Sequence, residues 1–228
     1  MIDHLNRGRI NLSGLEVLIL DEADRMLDMG FIEDVKKIVA AAPDKRQTLL
    51  LGATLDDSVA RLAGCLLKDP VRIQIADPKR SHENIEQRLH VVNDPRHKAS
   101  ILGHLIADHG LTRAIIFSAT KRNADSLARM LHAQGHAAAA MHGDMKQSAR
   151  NHTISNMRSG KIRLLVATDV AARGLDVTGI SHVINYDLPK TSEDYINRIG
   201  RTGRAGASGV AISLASFKDI GDLERIEH

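Results

Sequence analysis

Three stretches of this chain gather residue types that act on phosphates. The first is Leu15-Glu16-Val17-Leu18-Ile19-Leu20 followed by Asp21-Glu22-Ala23-Asp24. An apolar strand ending in acids presents carboxylates at a sheet's C-terminal edge, where open α/β sheets place ligands. The first acid can hold Mg2+, through water or directly, and the next can orient an attacking water. Such acids also simply open a helix and satisfy its dipole, which is the commoner use of a strand ending this way. Average residue usage produces the tetrapeptide in a chain this long only about once in several hundred. The second stretch is Arg198-Ile199-Gly200-Arg201-Thr202-Gly203-Arg204-Ala205-Gly206, three arginines at a spacing of three interleaved with glycine. Arginine offers a planar fork of donors and glycine lets a backbone approach closely, a pairing suited to a polyphosphate. A solvated basic helix end competes with that reading. The third runs from Ala167 to Asp176 (ATDVAARGLD), small residues mixed with Thr168, Asp169, Arg173 and Asp176. It suits close contact with phosphate or ribose, or a plain strand-to-helix turn capped by Thr168 or Asp169. Two weaker groups, Thr120-Lys121-Arg122 and His142-Gly143-Asp144 with Gln147 and Arg150, could grip phosphates or merely cap helices.

The elements that must position these groups alternate. Strand-like runs are expected over Leu15–Leu20, Thr48–Leu51, Val71–Ile75, Arg88–Val92, Ala114–Phe117, Ala137–Met141, Arg163–Ala167, His182–Tyr186 and Val210–Leu214. Several are apolar on both faces, as central strands of a helix-covered parallel sheet are. Helices are expected over Ile32–Ala42, Asp57–Lys68, Lys98–His109, Asn123–Gln134 and Gln147–Arg158, each stopped by Gly or Pro. The alternation predicts α/β units with a parallel sheet. Residues 76–86 (ADPKRSHENIE) are polar and without periodicity, which reads either as a long surface loop within one domain or, the favoured reading, as a boundary that divides the chain into 1–78, a linker over 79–86, and 87–228. Only the second piece has the size of an ordinary domain. The chain ends soon after the strand expected over Gly209–Ser216, which leaves open whether a final helix is present.

Composition narrows the partners. The 228 residues are 43% hydrophobic and 26% charged, which excludes a collagen-like or disordered chain. No apolar run is long enough for a transmembrane helix, and no signal peptide opens the chain. A net charge of +3 with 12 histidines permits a nucleic-acid partner. Aromatics at 2% and no Trp argue against a base-stacking platform, so a nucleic acid would be held by its backbone. The single cysteine, Cys65, excludes an internal disulfide and predicts a cytoplasmic protein; its apolar neighbours place it in a core. No multi-residue metal cluster is visible: His132 and His136 are separated by a helix stop at Gly135. No G-x-x-x-x-G-K-[ST] phosphate loop occurs anywhere in the sequence.

In their order, LEVLILDEADRMLDMGF, TLLLGAT, AIIFSATKRNAD, MHGDMKQSAR, LLVATDVAARGLDV and YINRIGRTGRAG resemble the motifs of the DEAD-box RNA helicases, from Ile2 to the C-terminus. The resemblance implies an α/β protein of two RecA-like parallel-sheet domains, the first incomplete and the second essentially complete. It implies ATP, Mg2+ and single-stranded RNA as ligands. Asp21 is similar to the acid associated with Mg2+ through water, Glu22 to the residue that activates water, and Asp24 to a link between catalytic motifs. Arg201 and Arg204 resemble arginine fingers to the γ-phosphate, and Asp176 a ribose contact. Thr120, Gln147, Arg150, Thr168 and Arg173 resemble RNA-backbone contacts. Gly52-Ala53-Thr54 stands where the family has Ser-Ala-Thr, and Asn197 where it has histidine, so the coupling positions Gly52, Ala53, Thr54 and Asn197 depart from the pattern. The family's adenine-reading segment and phosphate loop would lie upstream of Met1. The resemblance therefore implies an ATP-dependent helicase core present as a fragment that does not hydrolyse ATP alone. A non-catalytic RNA- or partner-binding module, and a degraded or mis-started gene product, are the alternatives.

Overall fold

The computed structural model describes residues 1–52, 57–73, 83–173 and 175–227. The chain divides into two units, Met1–Pro78 and Lys79–His228. In the first lie α1 (Ile2–Asn6), β1 (Val17–Leu20), α2 (Ala23–Asp28), α3 (Ile32–Ala40), β2 (Gln47–Leu50) and α4 (Asp57–Leu66). β1 and β2 form a two-stranded parallel sheet in which Val17 faces Gln47 and Leu20 faces Leu50. Leu18 and Leu20 bury against Val35, Leu62 and Leu66. The opposite face of β1, Val17 and Ile19, is exposed (45% and 57%), so burial on both faces does not hold for this strand. Val71, Arg72 and Ile73 form no strand, and Val71 and Ile73 are largely exposed; residues 74 and 75 of the strand expected there lie outside the described residues. Cys65 is exposed rather than in a core. The reason is helical phase: α4 buries Val59, Leu62 and Leu66, and Cys65 falls off that stripe.

The second unit holds β3 (Ile85–Val91), α5 (Pro95–Ala107), β4 (Ala114–Phe117), α6 (Lys121–Ala133), β5 (Ala138–Met141), α7 (Gln147–Arg158), β6 (Leu164–Ala167), α8 (Asp169–Ala172), β7 (His182–Asn185), α9 (Ser192–Ile199), β8 (Gly209–Ala215) and α10 (Ile220–Glu227). Ile85 and Glu86, expected in the linker, already belong to β3, paired with Gly209 and Val210; 79–82 lie outside the described residues. A final helix, α10, is present. The six strands are parallel in the order β3-β8-β7-β4-β6-β5. β4, β6 and β7 are buried at every position, as two-faced coverage requires. Alternate residues serve opposite cores. Ile116 and Val166 pack with Leu102, Ile106 and Leu131 on one face. Phe117 and Leu165 pack with Met157 and Leu175 on the other. No helix among the described residues is long and apolar enough to cross a membrane.

Candidate functional site

The acids of the first unit stand where β1 ends. Asp21 and Glu22 are exposed. Asp21 Oδ1 accepts the Glu22 N–H at 2.9 Å, and Asp24 Oδ1 accepts the Arg25 N–H at 2.9 Å. Glu22 occupies the left-handed region (φ 53, ψ 46) as the residue before α2. A non-glycine residue there costs on the order of 1–3 kcal/mol and persists only where the surroundings impose it. The buried Ala23 supplies that constraint: its N–H donates to Leu51 O at 2.9 Å, tying the acidic turn to the end of β2. This tie is backbone to backbone, so it survives the absence of a hydroxyl at the adjacent Gly52. Ala53 and Thr54 lie outside the described residues. The donor chemistry fits Mg2+: an exposed hard carboxylate, suited to an ion that keeps most of its ligands as water and phosphate oxygens.

In the second unit the candidates come from loops that leave adjacent strands. Thr120 follows β4, His142 to Arg150 follow β5, and Thr168 to Asp176 follow β6, so all lie toward the C-terminal edge of β4, β6 and β5. Thr120 Oγ1 accepts the Asn123 N–H at 3.1 Å and caps α6; its capping role and an outward hydroxyl are compatible because the residue is exposed. Lys121 is ion-paired with Asp144, and this hydrogen bond holds the Asp144 carboxyl below its usual range. Gln147 Nε2 donates to Asn151 Oδ1 at 2.9 Å on the exposed first turn of α7. Arg150 Nη2 donates to Ala171 O at 3.1 Å, while its buried Nε has no hydrogen-bond partner among the described residues. Thr168 caps α8 without a side-chain hydrogen bond, and Arg173 ends that helix; both are half-buried.

The arginines divide. Arg204 Nη1 lies 3.7 Å from Asp176 Oδ1, and Arg201 Nη1 donates to Leu175 O at 3.0 Å. The fold thus brings the ribose candidate and both finger candidates together from stretches far apart in sequence. Arg198 is different. Only 2% exposed, it is taken up entirely inside the unit, which removes it from the polyphosphate reading of three arginines. Its Nε and Nη2 donate to the two oxygens of Asp169 at 2.6 and 2.8 Å. Its Nη1 donates to Asn185 Oδ1 at 3.1 Å and Asp187 O at 2.6 Å, and the guanidinium lies 4.8 Å over the Phe117 ring. The signal was present in the sequence: Thr191 caps α9 through the Asp194 N–H, and that phase puts Arg198 beside Tyr195 and Ile199 on the inward face. Asn197 is half-buried on the same helix. Asp187 organises a second neighbourhood, accepting from Ser118 Oγ, Ala119 N and Lys98 Nζ at 2.9–3.0 Å.

Residues 1–62 match the family described as DEAD/DEAH box helicase, and residues 97–206 match the helicase conserved C-terminal domain. The chain is 43% identical over 227 residues to a DEAD-box ATP-dependent RNA helicase CshA of Geobacillus kaustophilus, covering 48% of that protein. It is 40% identical to the DEAD-box ATP-dependent RNA helicase RhpA of Helicobacter pylori, covering 46% of it. The chain therefore spans about half the length of these relatives. Among solved structures, S. cerevisiae Dbp5 bound to RNA and ADP BeF3 matches with a TM-score of 0.88 at 32% identity, over 99% of this chain and 60% of that one. E. coli SrmB bound to the regulator RraA matches with a TM-score of 0.59 at 39% identity, over 62% of this chain and 84% of that one.

Proposed function

The chain belongs to the DEAD-box helicase family, and from that premise we propose that it carries the phosphate-activating acids and the RNA-gripping edge of an ATP-dependent RNA helicase. Asp21 and Glu22 belong to the first unit, and Asp176, Arg201 and Arg204 to the second. When bound, Mg2+ neutralises charge on the phosphates, and Asp21 would hold it through water. Glu22, fixed by its left-handed backbone, would orient the attacking water by accepting its hydrogen bond. Asp176 would accept a hydrogen bond from a ribose hydroxyl, and the two guanidiniums would bind phosphate oxygens as charge develops. RNA would lie along the C-terminal edge of β4, β6 and β5, its backbone taking donors from Thr120, Gln147, Arg150, Thr168 and Arg173. The low aromatic content supports a grip on sugar and phosphate rather than on bases.

The observation that carries the reading is the convergence of Asp176, Arg201 and Arg204, which no single stretch of sequence contains. The 228-residue sequence holds no phosphate loop, so this chain by itself is expected to bind RNA without turning over ATP. The test is ATP hydrolysis by the purified chain with and without single-stranded RNA, with Glu22→Gln as control. RNA-stimulated turnover that disappears in Glu22→Gln would show that the remaining groups suffice and that the loop is dispensable.

A further inference from the structure

The strand ends of the second unit are used unevenly. In the order β3-β8-β7-β4-β6-β5, the RNA-facing loops proposed above follow β4, β6 and β5. The other half of the same edge carries a groove of about 590 Å³ that runs over the ends of β3, β8, β7 and β4, between α5 and α6. Its size lies within the range of small-molecule sites. Its place in the fold points the same way. β4 and β7 are neighbours, yet the helices that follow them cover opposite faces. α6 packs on the face of Ile116 and Ile212, while α9 packs through Ile199 on Ala211, which points the other way. Such a switch point opens a crevice at the C-terminal ends of the strands, where α/β sheets bind ligands.

The walls select the occupant. Buried Val92 and Leu127 give the groove an apolar base. Phe217, 72% exposed, stands at its rim and can take a flat partner. The ring of Tyr186 is already covered by Lys98, whose Nζ lies 4.6 Å over it. The charged groups are three carboxylates, Asp94, Asp187 and Asp219, against two ammoniums, Lys98 and Lys218. Each carboxylate already accepts hydrogen bonds within the unit. That balance disfavours a phosphate and admits an uncharged group. The side-chain amide of Asn123 and the hydroxyls of Ser126 and Tyr186 hold no hydrogen bond among the described residues, so donors and acceptors stand open to a ligand.

A nucleobase meets these terms: it is neutral and flat, with donors and acceptors on its edge. Thr120 brings a strand within reach. Its Oγ1 accepts the N–H of Asn123, so the residue proposed to meet the RNA backbone and the groove wall are one helical turn apart, about 5 Å along α6. We infer that the groove takes one unpaired base of the RNA whose backbone passes Thr120, stacked on Phe217 and hydrogen-bonded at its edge by Asn123 and Ser126. The inference rests on the RNA reading above and adds a single base-binding station to a grip on the backbone. One exposed aromatic serves one station, which agrees with a chain of 2% aromatics.

The test compares the whole chain with its Phe217→Ala variant on two oligomers of equal length, an oligouridylate and a ribose-phosphate chain without bases. Affinities are read by fluorescence anisotropy over a range of salt. The oligomers carry the same phosphates, so their salt slopes should match. The oligouridylate is expected to bind roughly 5- to 150-fold tighter than the baseless chain, the size of one stacked base. Phe217→Ala is expected to remove most of that advantage and to bind the baseless chain as the wild type does. Asn123→Ala is expected to remove part of it. A Phe217→Ala chain that binds both oligomers more weakly by the same factor shows a general structural effect and overturns the inference. So does one that keeps the full preference for bases, the result expected if the groove serves a protein segment instead. A wild-type chain that binds the two oligomers equally overturns the inference and leaves the RNA reading standing. A wild-type chain that binds neither overturns that reading, and the inference falls with it.

Discussion

At the scale of single residues, burial and backbone conformation decide which groups are available for chemistry. Arg198, Arg201 and Arg204 share a motif, yet one is sequestered and two are presented. The turn that presents them depends on Gly203, whose φ is +66. A Cβ there would lie 2.7 Å from Ile85 Cγ1, and one at Gly209 would lie 2.7 Å from the Gly203 nitrogen. Gly203→Ala combines left-handed strain with a clash and is expected to destabilise the second unit by about 1–3 kcal/mol, read from urea unfolding. A shift in midpoint no larger than that of a surface substitution would count against the packing argument. His182 offers a pH prediction. Burial on β7 pushes its imidazolium pKa down, with Asp108, Arg88 and Glu86 the charged groups that bear on it. The unfolded chain then takes up a proton before the folded one does. Stability from this residue is intact above the unfolded value near pH 6.5 and declines as pH falls through the window below it. His182→Gln is expected to flatten that part of the stability profile, measured as urea midpoints either side of the window.

At the scale of elements, three adjacent strand ends convert weak motifs into one surface. Thr120 and Thr168 cap helices and Gln147 and Arg150 belong to the first turn of α7, and the adjacent ends of β4, β6 and β5 bring their loops side by side. Backbone recognition of this kind is salt-sensitive and indifferent to sequence. Arg150→Ala should weaken RNA binding and reduce the slope of log affinity against log salt by about one, whereas Gln147→Ala should weaken binding with the slope unchanged. Equal slopes for the two variants would mean that Arg150 meets no phosphate. Helix boundaries shifted for a physical reason of their own. α5 begins at Pro95, ahead of the Lys98 start expected, because Asp94 accepts the N–H groups of Arg96 and His97 and Pro95 is suited to a first turn.

At the scale of the whole chain, the two units differ in how far they satisfy themselves. The second closes six strands under helices on both faces. Among the described residues the first rests on two strands, with Val17 and Ile19 exposed on β1 and Leu51, Val71 and Ile73 exposed elsewhere in the unit. A two-stranded sheet with one bare apolar face is marginal in water. Calorimetry is expected to show a weak early transition for Met1–Pro78, with binding of a hydrophobic dye before the main melt. A single cooperative transition of a monomer at high temperature would refute this.

The alternation of buried strands and capped helices, the acidic strand end, and the family were legible in the sequence. These depend on local period and on residue order, which one dimension records. The pairing of Arg198 with Asp169, the exposure of one face of β1, and the meeting of Asp176 with Arg201 and Arg204 were decided only by the tertiary structure. Each depends on which strands lie side by side and on what covers a given face. Parallel strands joined by crossovers take neighbours from distant parts of the chain, as β4 does between β6 and β7, and no local pattern specifies that choice.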